Sequence, residues 1–349
     1  MPVMPAIRRI RLSEISPIKL GLAISGVLLV IFLGWETAHG RWPAFREAMR
    51  SDALYRQPGG ILRDFRISIV HILLAGYLPA ALLAVVQSAR RTVYELQSAL
   101  DCSPRECSDL ASSIRLSPAG LAVAGILGLL IGFGTPYLTP PVPEHLWSPS
   151  SWSPEVAWHR ILGPIAAILA MFLLYAVVSV SARMSRISAG LSTVDLLDLR
   201  ALQPFTRQGL TNALLVLGWV TISGLMVVTE SGFGLLGLLL GMATLFIAGA
   251  AFLLPLRGVH SRVRQAKDDE LAWLNGQILE QRKTLRQGSM EGRRGSLADL
   301  LTYRDLVREV PDWPIGTSSY ARFVLYLLIP VLSWAAAALV ERVVNALIS

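Results

Sequence analysis

Seven blocks of apolar residues run through this sequence, at about 18–35, 67–87, 117–135, 160–181, 209–229, 232–255 and 320–344. Each is near the ~20 residues that an α-helix needs to cross a ~30 Å hydrocarbon layer. No water is available there to satisfy an open backbone, so a spanning segment must be a helix or part of a closed barrel. Unbroken apolar runs of this length specify helices, since barrel strands alternate in polarity. The expected fold class is therefore all-α: a polytopic helical membrane protein with about seven transmembrane helices. Composition agrees. The 349 residues are 53% hydrophobic and 16% charged, against about a quarter charged in an ordinary soluble domain. The basic N-terminus leads into an apolar run too long for a signal h-region, with no small-x-small cleavage site after it, so it reads as a retained first span.

Basic residues set the expected orientation, because Lys and Arg gather in cytoplasmic loops. Arg8, Arg9, Arg11 and Lys19 precede or open the first block; Arg90, Arg91, Arg105 and Arg115 lie near 88–116; Arg183, Arg186, Arg200 and Arg207 lie near 182–208. The segment 257–319 holds eleven more, whereas 136–159 holds none. Alternation then places the N-terminus in the cytoplasm and the C-terminus outside a cell (inner) membrane. One segment resists. Residues 36–66 should lie outside, yet carry Arg41, Arg46, Arg50, Arg56, Arg63 and Arg66. Either they form an amphipathic element on the outer surface, or the first block is not a simple crossing. The net charge of +8 is attributed to arginine in cytoplasmic loops, which suits an anionic inner leaflet, and not to nucleic-acid binding. The outer segment 136–159 is rich in Pro and Trp and reads as an interfacial cap.

Three regions follow: transmembrane helices 1–6 with structured inner loops (1–256), a cytoplasmic helical hairpin (257–311), and the final span (312–349). Val259, Val263 and Ala266 fit one short heptad register, and Leu271, Leu274, Ile278 and Leu285 another. Too few clean heptads follow for a sustained coiled coil. "QGSMEGRRGS" breaks the helix, and a second helix is expected over about 297–310. Capping-box patterns mark expected helix starts at Ser103/Glu106, Ser192/Asp195 and Ser296/Asp299, with Thr317 or Ser318 capping the last span.

Helix association in lipid depends on close approach, so small residues mark contacts. Ala124, Gly128 and Gly132 form one stripe and Gly237 and Gly241 another; either can serve packing within one chain or in a homo-oligomer. Cys102 and Cys107 imply no disulfide framework and read as ordinary thiols.

Chemistry is sparse. No Walker A sequence, Gly-x-Ser-x-Gly elbow, His-Glu-x-x-His or paired-carboxylate pattern occurs, so neither an enzyme nor a cofactor is expected. No Asp, Glu, Lys or Arg occupies the middle of a span, which argues against a carrier built on a central carboxylate. The polar intramembrane candidates are His71, Asn212, Thr221 and Ser223. His39, His145 and His159 are weak candidates for a metal on the outer side, set against unrelated interface histidines. The favoured reading is an oligomeric, ion-channel-like or pore-associated protein with a cytoplasmic hairpin, partnered by the bilayer and by anionic lipid. The alternative is a membrane sensor or scaffold coupling the outer cap to a cytoplasmic partner.

Overall fold

The computed structural model describes residues 15–48, 61–138, 147–149, 152, 154–191, 194–226, 235–286 and 294–348. Among these the chain is helical, with no strand. The main helices are α1 (Pro17–Ala38), α2 (Trp42–Ala48), α3 (Ile61–Glu95), α4 (Pro104–Ser113), α5 (Pro118–Gly134), α6 (Pro154–Ser188), α7 (Gln203–Gly224), α8 (Leu235–Leu253), α9 (Arg257–Arg286), α10 (Arg294–Glu309) and α11 (Thr317–Ile348). Six stretches are long and apolar enough to cross a membrane: Pro17–Ala38, Asp64–Glu95, Pro104–Tyr137, Val156–Ser188, Met242–Thr284 and Thr317–Ala336. Helix α7 is not among them. Its 22 residues would extend ~33 Å, but Gln203, Thr206, Arg207, Gln208, Thr211 and Asn212 make its first half polar.

Helix starts follow local chemistry. Ser16, Ser103 and Ser117 each accept a backbone N–H from three residues on and precede a proline at the first helical position. Proline fits there because that N–H has no intrahelical partner. At Ser103 the box is reciprocal, with Glu106 accepting the Ser103 N–H. Of three other expected helix starts, two are displaced. Ser192 lies outside the described residues, and Asp195 instead accepts the Leu197 N–H in a bend. The next helical turn is capped by Asp198, which accepts from Arg200. Ser296 lies inside α10, two residues past its start, and Gly316, not Thr317, precedes α11. The expected thiols also differ: Cys102 and Cys107 are paired as a disulfide across the turn into α4.

Helices α3, α6 and α7 form the centre. Helix α1 packs on α3, α5 on α6, and α8 and α11 on α7. Side-chain partners fix the directions. Phe32 meets Phe65 while the Ser25 hydroxyl donates to the Ile72 carbonyl, so α1 and α3 are antiparallel. Tyr77 reaches Leu215 and Ser88 reaches Gln208, so α3 and α7 are antiparallel. Thr206 meets Pro314 and Thr221 meets Trp334, so α7 and α11 run parallel. Helix α2 thus packs on α3 at the end of the bundle where α6 begins. Helices α9 and α10 pack on each other at the opposite end, with Leu274 and Val307 fully buried. A 3₁₀ turn, Leu254–Leu256, joins α8 directly to α9.

Close approach decides the α5–α6 contact. Ala124, Gly128 and Gly132 are buried on one face of α5. A Cβ on Gly128 would fall 2.5 Å from the Ile168 Cα, and one on Gly132 2.5 Å from the Pro164 Cα. Both obstacles are backbone, which cannot swing aside. Outward faces of α1, α5, α8 and α11 remain apolar and exposed, including Val30, Leu130, Phe246 and Leu332. Nothing among the described residues covers them, and lipid is the solvent that suits them.

Gly128→Val is therefore expected to lower stability by about 1–3 kcal/mol through overpacking. Gly249→Ala, where a Cβ meets nothing within 4 Å, should change it by less than about 0.5 kcal/mol. Thermal denaturation of the detergent-purified protein checks both, and equal stability of the two variants would overturn the close-approach account.

Candidate functional site: a buried amide ladder and a histidine pair

In the polar half of α7, Thr206, Gln208 and Asn212 point inward. Gln208 and Asn212 lie one turn apart, and both are 0% exposed. The Gln208 carboxamide oxygen accepts from the Ser88 hydroxyl at 2.7 Å and from the Thr92 hydroxyl at 3.4 Å, both on α3. Its amide nitrogen donates to the Asn212 Oδ1 at 2.8 Å. The Asn212 amide in turn donates to the Ser181 hydroxyl on α6 at 3.2 Å. This ladder joins the three central helices through side chains that would each cost several kcal/mol if buried without partners in hydrocarbon. Further along α7, Tyr77 donates to the Leu215 carbonyl.

The ladder continues toward the hairpin. Arg207, beside Gln208, pairs with Glu95 of α3 at 2.9 Å. Thr206 donates to the Pro314 carbonyl at 2.8 Å, in the segment joining α10 to α11. That segment is clamped to α9. His260 donates from Nδ1 to the Asp312 carbonyl and stacks on Trp313, 4.2 Å between ring centres. Lys267 reaches the Val310 carbonyl at 2.7 Å and the Asp312 carboxylate at 3.2 Å. Arginines at this end also satisfy carbonyls at or just past helix C-termini: Arg90 that of Ile114, Arg183 that of Ser113 and Arg262 that of Leu191. In α10, burial and the neighbouring Glu270 push the Tyr303 phenol above its ordinary pKa.

At the other end, aromatic rings close the bundle. Phe32, Phe65 and Trp158 converge from α1, α3 and α6, and Phe45 and Trp42 of α2 cover Phe65. Glu36 and Arg41 form a mostly buried ion pair at 3.1 Å. Just inside, His71 of α3 faces His159 of α6, with ring centres 5.6 Å apart.

The sequence candidates thus separate. Asn212 lies in the ladder. Thr221 donates to the Leu217 carbonyl of its own helix, and its own carbonyl accepts the Trp334 indole N–H. Ser223 is half-buried near the far end of α7. His71 meets His159, whereas His39 caps α1, donating to the Trp35 carbonyl. His145 lies outside the described residues, and so do the surroundings of Gly237 and Gly241 on α8. Among the described residues no group of three or more His, Cys, Asp or Glu is placed to hold a metal. Sequence reasoning passed over Gln208, Ser88, Thr92 and Ser181. The signal available was the i, i+4 spacing of Gln208 and Asn212, two amides on one helical face.

A double-mutant cycle on Ser88→Ala and Gln208→Met should give a coupling energy of about 0.6–1.7 kcal/mol, the range for hydrogen bonds between membrane helices. Strictly additive losses would show that this contact holds nothing together. Comparisons with protein-family models, with curated proteins and with solved structures find no match to this chain.

Proposed function

We propose that this chain is a seven-span membrane protein of the sensor or scaffold class, in which the position of α7 within the bundle is coupled to the α9–α10 hairpin. The observation that carries the reading is a continuous set of contacts. The amide ladder holds α7 to α3 and α6. Two residues from Gln208, Thr206 holds the hairpin's return segment. His260 and Lys267 hold that segment to α9. Displacing α7 along its axis therefore displaces the hairpin, unless one of these bonds breaks. In this reading α7, the fifth span in chain order, brings the count to seven: a half-polar helix packed among α3, α6, α8 and α11. The basic end, with the hairpin, faces the cytoplasm beside anionic lipid, and the C-terminus lies outside. The hairpin is the surface offered to a cytoplasmic partner.

The channel reading draws less support from this geometry. Asn212 and Thr221 spend their polar groups on hydrogen bonds within the chain, so neither is left to line a path through one subunit. A pore would have to form between subunits, along faces that are apolar.

Three measurements test the proposal, all in a Cys102→Ser/Cys107→Ser background. Single cysteines at positions 46 and 148 should react with a membrane-impermeant thiol reagent from one side, and a cysteine at 280 only from the other. Labelling of all three from one side would overturn the topology. For the coupling, spin labels at the exposed positions 94 and 279 report the distance between α3 and α9. Gln208→Leu should shift or broaden that distribution by on the order of 2 Å, the scale of helix shifts in switching proteins. An unchanged distribution in a folded Gln208→Leu protein would sink the coupling. In planar bilayers the protein should pass no steady current. A current abolished by Asn212→Leu would replace this reading with a pore.

A further inference from the structure

We propose that His71 and His159 form a binding site for a single borderline transition-metal cation of the Zn²⁺, Cu²⁺ or Co²⁺ class, with water or an anion completing the coordination. The site lies between α3 and α6 at the end opposite the hairpin, and it does not depend on the coupling proposed above.

Three features converge on it. The first is tautomer control. The Ile67 carbonyl can only accept, so the His71 Nδ1 that meets it at 2.9 Å carries the proton. The neutral ring's lone pair is then on Nε2. Fixing one imidazole nitrogen on a backbone carbonyl is how metal-binding histidines are commonly oriented. The second is direction. The His71 Nε2 lies 3.7 Å from where a Cβ on Gly163 would sit. Gly163 is one turn along α6 from His159, so the lone pair is aimed at the face of α6 that carries the second imidazole. The absent side chain leaves room beside it. The third is spacing. Two imidazoles on one metal, with bonds of about 2.0–2.1 Å and angles between tetrahedral and trigonal, place their ring centres about 5–5.5 Å apart. The observed separation is 5.6 Å, with the rings tilted by 35° and not stacked. A shared cation also explains the pairing physically. Two imidazoles this close repel when protonated, whereas a metal draws both in their neutral form.

Two protein ligands define a modest, exchangeable site and not a structural one, since closed structural zinc sites use four. Such a site reads the metal content of its compartment.

The test uses the full-length protein in detergent, with Co²⁺ and Cu²⁺ as probes. Wild type should bind one equivalent of Co²⁺ with a ligand-field spectrum of nitrogen ligation. Bound Cu²⁺ should show hyperfine splitting from two imidazole nitrogens in electron paramagnetic resonance. His71→Ala and His159→Ala should each weaken binding by about tenfold or more, and His39→Ala should leave it unchanged. Gly163→Leu keeps both histidines but fills the space beside Nε2. It should weaken binding equally, and it decides the matter if a histidine variant fails to fold. Overturning results are wild type with no saturable binding, splitting from a single imidazole, or binding by the Gly163→Leu protein like that of wild type. A bare hydrogen-bonded histidine pair would give the first of these.

Discussion

The Gln208 carboxamide is the constraint on which the rest of this bundle depends. It is fully buried, and its oxygen finds partners only if α7 turns this face to Ser88 and Thr92 of α3, while its nitrogen donates within α7 to Asn212, whose own amide reaches Ser181 of α6. An orphaned amide in a medium without water costs more than any small repacking can recover. Once α7 is held this way, its remaining faces are set. Gly209 admits the α8 backbone near Phe252, Gly218 admits the Tyr77 ring, and Gly224 admits the Trp334 ring. Thr206 then falls beside Pro314, and the hairpin is tied to the bundle interior.

The two ends of the molecule use charge differently. At the basic end, Arg90, Arg183 and Arg262 are not free topological signals. Each donates to a carbonyl at or just past a helix C-terminus. At the other end, Arg41 is neutralised by Glu36 in a pair whose side chains are 12% and 6% exposed. A buried pair of this kind adds little net stability, but losing one partner is costly because the other charge stays buried. This accounts for part of the arginine excess in 36–66. A charge consumed inside the fold is a weaker guide to orientation than a charge in a loop.

Much of the helical plan was readable from local rules. Apolar length marked six of the blocks, and the Ser103–Glu106 box and the glycine-rich break after α9 marked boundaries. Where local rules failed, the reason was tertiary. Ser296 and Asp299 satisfy the capping pattern, yet α10 begins earlier, at Arg294. Asp195 matches a cap by spacing, but the chain bends there so that Leu196 is buried while Leu197 stays exposed. The ladder escaped notice because Ser88 and Thr92 lie over a hundred residues from Gln208, and Ser181 lies 31 from Asn212. No window of sequence contains both ends of such a bond.

By itself the sequence determined that this chain is helical, that most of its helices suit lipid, and where small residues permit close approach. Those properties reside in single helices, because a bilayer requires each to satisfy its own backbone. Tertiary structure alone decided which helices are central, and it placed among them α7, whose first half is polar. Polar side chains gain most when they meet each other away from water, and only the assembled bundle brings Ser88, Thr92, Ser181, Gln208 and Asn212 together. It also decided which histidine meets which, since two rings on separate helices come together only when those helices pack.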